Sequence, residues 1–135
     1  MEKAVDNRLA ELERRIAALE SAALSTGPEG TEAVLAEAER AGPQLAERDG
    51  WASLAGVLAA LGNPVRLTLL QEIVRGRATV SALSEVDGLG TSGQIYHHLR
   101  QLTAEGWLHS PSRGTFAVPP PRVVALLAIL EALQR

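Results

Sequence analysis

Apolar residues recur along the chain with a period that is helical almost throughout. In the opening stretch, Val5, Leu9, Leu12, Ile16, Leu19 and Ala23 alternate steps of four and three, the spacing of a heptad seam. With Leu9 and Ile16 at a and Leu12 and Leu19 at d, Arg8 and Arg15 fall at g and Glu13 and Glu20 at e. A parallel pair of such helices sets each g arginine against an e glutamate five residues on. An antiparallel pair sets arginine near arginine. The pattern predicts a coiled-coil-like helix over 1–24, pairing through Leu9, Leu12, Ile16 and Leu19. Packing of the same face on its own domain is the other reading.

"STGPEGT" (25–31) interrupts this helix, a short acidic helix over about 31–41 follows, and "AGP" (41–43) punctuates again, so 25–50 reads as linker plus acidic helix. From Trp51 the pattern predicts a helix with Trp51, Leu54, Leu58 and Leu61 on one face. "GNP" (62–64) stops it, and Asn63 and Pro64 are an N-cap and a first helical residue. The next helix, "PVRLTLLQEIVRG", is expected to bury Leu67, Leu70 and Val74 and to end at Gly76. A short helix over 79–86, a glycine-rich turn "DGLG" (87–90) and a longer helix over 91–105 form a helix-turn-helix pattern. "WLHSPSRGTFAV" reads as two short strands around "PSRG". The closing helix, 122–135, is apolar on most of its circumference and is expected to be buried on both sides, as at a subunit interface. Residues 51–135 thus form one domain, mainly α: a helical core plus a two-stranded β-wing.

Composition agrees with close-packed helices. The chain is 46% hydrophobic but only 3% aromatic. It has no cysteine, which excludes disulfides, thiolate metal sites and thiol nucleophiles. The charged N-terminus lacks the apolar core of a signal peptide, and no apolar run reaches the ~20 residues of a membrane span. A soluble cytoplasmic protein is therefore expected. Net charge is −3, but residues 1–50 carry 6 basic and 11 acidic side chains while 51–118 carry 5 and 4. The near-neutral remainder is compatible with phosphate contact.

Two segments carry a family resemblance. "LAALGNPVRLTLLQEIVRG" resembles the opening of the DNA-binding core of ArsR/SmtB-type bacterial repressors. "TSGQIYHHLRQLTAEGWL" resembles their recognition helix and first wing strand. The resemblance covers about 51–133 and leaves the N-terminal third unexplained. It implies a winged helix-turn-helix that binds DNA, with Ile95, Leu99 and Leu102 on the buried face and His98 on the family's structural histidine. Tyr96 stands where the family carries a serine. The family's metal ligands are missing: there is no cysteine, and the closing helix offers only Glu131. The resemblance therefore implies no metal sensing, and no cofactor is expected.

The helical period separates the adjacent histidines. His97 points ~200° away from the Ile95 core direction, whereas His98 lies at the core edge. Neighbours so placed cannot chelate one metal, for which i, i+4 spacing serves, and no nucleophile or paired carboxylate lies within reach in sequence. No catalytic role is expected. The outer face carries Gly93, Gln94, His97, Arg100 and Gln101, with Tyr96 on its flank. Gln can read adenine and Arg guanine, and Gly93 lets the helix approach DNA closely. Thr91 and Ser92 can cap the helix and contact phosphate, and Arg113 at the wing tip suits phosphate or minor groove. Arg66 is expected to be a structural ion-pair or capping residue, and Trp51 and Trp107 core anchors.

The expectation is a homodimeric DNA-binding transcriptional regulator, a repressor or an activator, acting on double-stranded DNA at a pseudo-palindromic operator. Leu54, Leu58, Val123, Leu126, Leu127 and Leu130 would form the subunit interface beside the N-terminal seam. The apolar closing helix permits a small apolar effector there. The alternative is a winged-helix protein-interaction module that binds no DNA and recruits a partner through its acidic N-terminal region.

Overall fold

The structure, a computed structural model, describes residues 2–24, 28–41 and 48–134; of the breaks expected at 25–31 and 41–43, residues 25–27 and 42–43 lie outside these, while 28–31 and 41 are helical. It is mainly helical, with α1 (Glu2–Ala22), α2 (Pro28–Ala41), α3 (Arg48–Ala52), α4 (Ala55–Ala59), α5 (Pro64–Val74), α6 (Val80–Leu83), α7 (Ser92–Ala104) and α8 (Pro120–Leu133) in chain order. The chain divides into two compact units. One is 55–123; the other comprises 1–54 and 124–135.

In the unit of 55–123 the local chemistry sets each helix start. The Asn63 side chain accepts from the backbone N–H of Val65 (2.9 Å) and Arg66 (3.2 Å), and Pro64, which has no N–H to satisfy, opens α5. Thr79 caps α6 through Ala82 N–H at 3.1 Å. α6 stops at Leu83, earlier than expected. There the Ser84 hydroxyl donates back to the Val80 carbonyl at 2.8 Å, competing with the helix ladder. Gly76, at φ +119, turns the chain out of α5.

The core of this unit joins Leu69, Leu70 and Ile73 of α5, Val80 and Leu83 of α6, Leu89 of the turn, and Ile95, Leu99 and Leu102 of α7 with Trp107 and Leu108. The face of α5 differs from the expectation. Leu70 is buried, but Leu69 and Ile73 join it, while Leu67 is half-buried and Val74 is 46% exposed. Val65, Leu67, Leu69, Leu70, Ile73 and Val74 spread over more than half of the circumference, so the period does not single out one seam.

The expected helix from Trp51 to Leu61 is also broken. α3 ends at Ala52, Leu54 N–H turns back to the Trp51 carbonyl at 3.1 Å, and α4 begins at Ala55. The Ser53 hydroxyl donates to the Gly50 carbonyl at 2.8 Å. Gly50, Ser53 and Gly56 are weak helix formers that together interrupt the run. Leu61 reaches the core, but Trp51 is 60% exposed and anchors none in the single chain. Trp107 does, at 1% exposure.

The segment expected to form a two-stranded wing doubles back on itself, but among the described residues it forms isolated bridges and no strand. His109 and Ala117 exchange both backbone hydrogen bonds at 2.9 Å, forming one antiparallel bridge. Phe116 N–H donates to the Ala78 carbonyl at 2.8 Å beside a second bridge between Thr79 and Thr115. The turn closes with the Ser110 hydroxyl between the carbonyls of Ser112 and Thr115, at 2.7 and 2.8 Å, and Gly114 at φ +78.

In the other unit α1 packs against α2. α2 begins at Pro28, before the expected residue 31, using the proline as an opening residue and Glu29 in its first turn. Among the described residues no single helix is long and apolar enough to cross a membrane.

Candidate nucleic-acid interface

α7 separates its two faces as its period dictates. Ile95, Leu99 and Leu102 are fully buried, while Ser92, Gly93, Gln94, Tyr96, His97, Arg100 and Gln101 are exposed. Thr91, also exposed, is the N-cap. The structure therefore gathers every α7 candidate on or beside one solvent face. Arg113 is exposed as well, but on a separate element, the wing turn.

The start of the helix is a capping box. Gln94 N–H donates to Thr91 Oγ1 at 3.2 Å, and Thr91 N–H donates to Gln94 Oε1 at 2.8 Å. A side chain at Gly90, itself at φ +90, would collide with that Gln94 amide. Bidentate reading of adenine needs both the oxygen and the nitrogen of the glutamine amide. Here one lone pair of the oxygen is engaged and the capping box fixes the side chain's orientation, so Gln94 serves the helix start. Ser92 Oγ lies 3.4 Å from Ser84 Oγ.

One turn further the face opens. A Cβ built on Gly93 would meet nothing closer than Thr91 Oγ1 at 3.9 Å, so the surface there is bare backbone. His97, Arg100 and Gln101, with Ala104 and Glu105, line a shallow recess of about 330 Å³. Glu105 was not singled out in the sequence. It follows Gln101 at i+4 and His97 at i+8, so the same period would have found it. It also lies close against α4, where a Cβ at Gly56 would come within 3.0 Å of its carboxylate.

His98 leaves the face altogether. Arg66 Nε donates to His98 Nδ1 at 3.1 Å, joining α5 to α7 and leaving the ring proton on Nε2. The two histidine rings meet edge to face with centroids 5.6 Å apart. Burial, then the Arg66 guanidinium, then His97 hold the His98 imidazole below its ordinary pKa. A lowered folded-state pKa means that the unfolded chain takes up this proton first as pH falls. Stability is then full above the ordinary value, 6.5, and declines as pH drops through it. His98→Asn keeps an uncharged acceptor for Arg66 and removes the titration. Denaturant titrations between pH 7 and 5 should show a shallower loss of stability in that variant. Equal slopes would remove His98 from the account.

Among the described residues no three His, Asp or Glu side chains come together to hold a metal ion.

No protein-family model matches the chain, and no curated protein does. Among solved structures, the chain is similar to the crystal structure of an ArsR family transcriptional regulator, at 30% identity over 60% of this chain and 86% of that one, with a TM-score of 0.46.

Proposed function

We propose that the chain is a sequence-specific DNA-binding transcriptional regulator, acting as a homodimer with α7 as the recognition helix. The exposed face of α7 carries the reading: bare backbone at Gly93, then His97, Arg100 and Gln101 together over a buried Ile95–Leu99–Leu102 stripe. A helix presented on a rigid apolar base, without side-chain bulk at its second residue, suits entry into a major groove. Arg100 and Gln101 supply the base-reading donors, His97 and Tyr96 flank them, and Thr91, Ser92 and the wing's Arg113 supply phosphate contacts. Two such helices would meet successive major grooves of an inverted repeat, about one helical turn apart.

Of the residues expected at a subunit interface, Leu54, Leu58 and Leu127 are exposed and Val123 and Leu130 half-buried, whereas Leu126, at 5%, is already covered within the chain. Interface contacts therefore fall to the others. Selection of bound molecules from random duplex DNA at low salt tests the proposal. An enriched inverted repeat is the expected result. Recovery of no motif would overturn the reading and favour the acidic N-terminal region as a protein-recruiting surface.

A further inference from the structure

Apolar packing seats α7 on α5 without fixing its roll, because burial has no direction of its own. A polar bond supplies that direction. Arg66 Nε donates to His98 Nδ1 at 3.1 Å, a side-chain hydrogen bond that crosses from α5 to α7. Both of its ends are anchored. The Arg66 backbone N–H is tied to the Asn63 cap at 3.2 Å, and His98 stands beside the fully buried Leu99. The bond also reaches the outer face of α7. The His97 ring meets the His98 ring edge to face at 5.6 Å, and His97 lines the recess with Arg100 and Gln101.

The Arg66 guanidinium enters none of the ion pairs among the described residues, so its charge reaches His98 without a carboxylate partner. The charged and titratable groups that act on the His98 ring are Arg66 from α5 and His97 from α7 itself, and both disfavour its protonated form. Once protonated, Nδ1 carries a hydrogen and can no longer accept, and two cations stand donor to donor. We propose that Arg66 and His98 are positioning residues for the recognition helix: their bond sets the roll of α7 on α5, and proton uptake by His98 releases it and weakens DNA binding. The inference rests on the reading of α7 as the recognition helix, but it concerns two residues that are not candidates for touching DNA. Linkage gives the sign. The DNA-bound form holds His98 neutral, so affinity falls as pH drops below the ordinary histidine value, 6.5.

His98→Asn places an oxygen where Nδ1 stands, so it keeps the acceptor and cannot titrate. His98→Leu and Arg66→Met each delete one end of the bond. Binding is measured on the duplex enriched by selection at about pH 7.5, and again at about pH 5.5. The parent should lose roughly 3- to 10-fold more affinity over this range than His98→Asn does. Charging of His97 is common to both proteins and cancels in that ratio. His98→Leu and Arg66→Met should already bind roughly 3- to 10-fold more weakly at the upper pH, and the double variant no more weakly than either. Salt dependence should match the parent throughout, since no phosphate contact is lost. Equal pH profiles for the parent and His98→Asn overturn the proposal. An Arg66→Met salt slope shallower by about one does so too, because it places Arg66 on a phosphate. If the truncated variants misfold, the comparison with His98→Asn decides alone. Failure of the DNA-binding reading is visible separately, as a selection that returns no motif. Amide hydrogen exchange in the free protein then tests the bond. Faster exchange along α7 in the parent than in His98→Asn at the lower pH keeps the positioning role and removes the regulator; equal rates overturn both.

Discussion

Replacement of Trp107 by alanine is expected to destabilise the unit of 55–123 by about 3–5 kcal/mol, a large part of the roughly 5–15 kcal/mol that holds a typical domain together. Three elements meet on this one side chain. Its indole Nε1 donates to the Val57 carbonyl of α4 at 2.8 Å. The Arg122 guanidinium, at the start of α8, lies 5.0 Å from the ring centroid and also donates to the Glu105 carbonyl at 3.3 Å, at the end of α7. The ring itself is 1% exposed. Truncation therefore opens a cavity, leaves the Val57 carbonyl without its donor and removes the surface over which Arg122 sits. Trp107→Phe separates these contributions. It keeps most of the packing and loses the hydrogen bond, so its cost should fall near 1–3 kcal/mol. Denaturant midpoints followed by helical circular dichroism give both values. An alanine variant within about 1 kcal/mol of the parent would show that the Trp107 contacts are not what joins α4, α7 and α8.

How far the sequence foretold these contacts depends on how strongly each segment is patterned. α7 was legible because Ile95, Leu99 and Leu102 stand alone among polar neighbours, leaving one way to bury the helix. The Asn63–Pro64 start of α5 was legible for a local reason: cap chemistry is decided within four residues. The buried face of α5 was not, since Leu67, Leu69, Leu70, Ile73 and Val74 offer more than one seam and tertiary packing makes the choice. The break at Ser53–Leu54 was missed because apolar spacing across a weak helix former looks continuous. At the candidate interface the outer face of α7 came from its period alone. The capture of Gln94 by Thr91 did not, although threonine followed three residues later by glutamine is itself a capping-box pattern. Period and capping made competing claims on the same glutamine, and the hydrogen bonds assign it to the cap.

That assignment concentrates base reading on Arg100 and sharpens what its removal should do. Arg100 is exposed in the recess it shares with His97 and Gln101, and its guanidinium enters none of the ion pairs among the described residues. Arg100→Ala should therefore leave the denaturant midpoint unchanged while weakening binding to the selected operator by about 1–3 kcal/mol, roughly 5- to 150-fold. The pattern of that loss decides the role. If Arg100 holds guanine bidentately through O6 and N7, the penalty belongs to one base pair in each half-site. Operators mutated at that pair would then bind parent and variant alike, and selection on the variant would return a motif relaxed at that position only. If Arg100 meets a phosphate instead, affinity falls by the same factor on every sequence and the salt dependence becomes shallower by about one unit of slope. Gln94 is the internal contrast. Its amide oxygen already serves Thr91, so Gln94→Ala should act through the stability of the helix start, not through specificity at a base. A variant series in which Gln94 relaxes a base position and Arg100 does not would reverse the assignment, placing the capping box in the free protein and opening it on DNA.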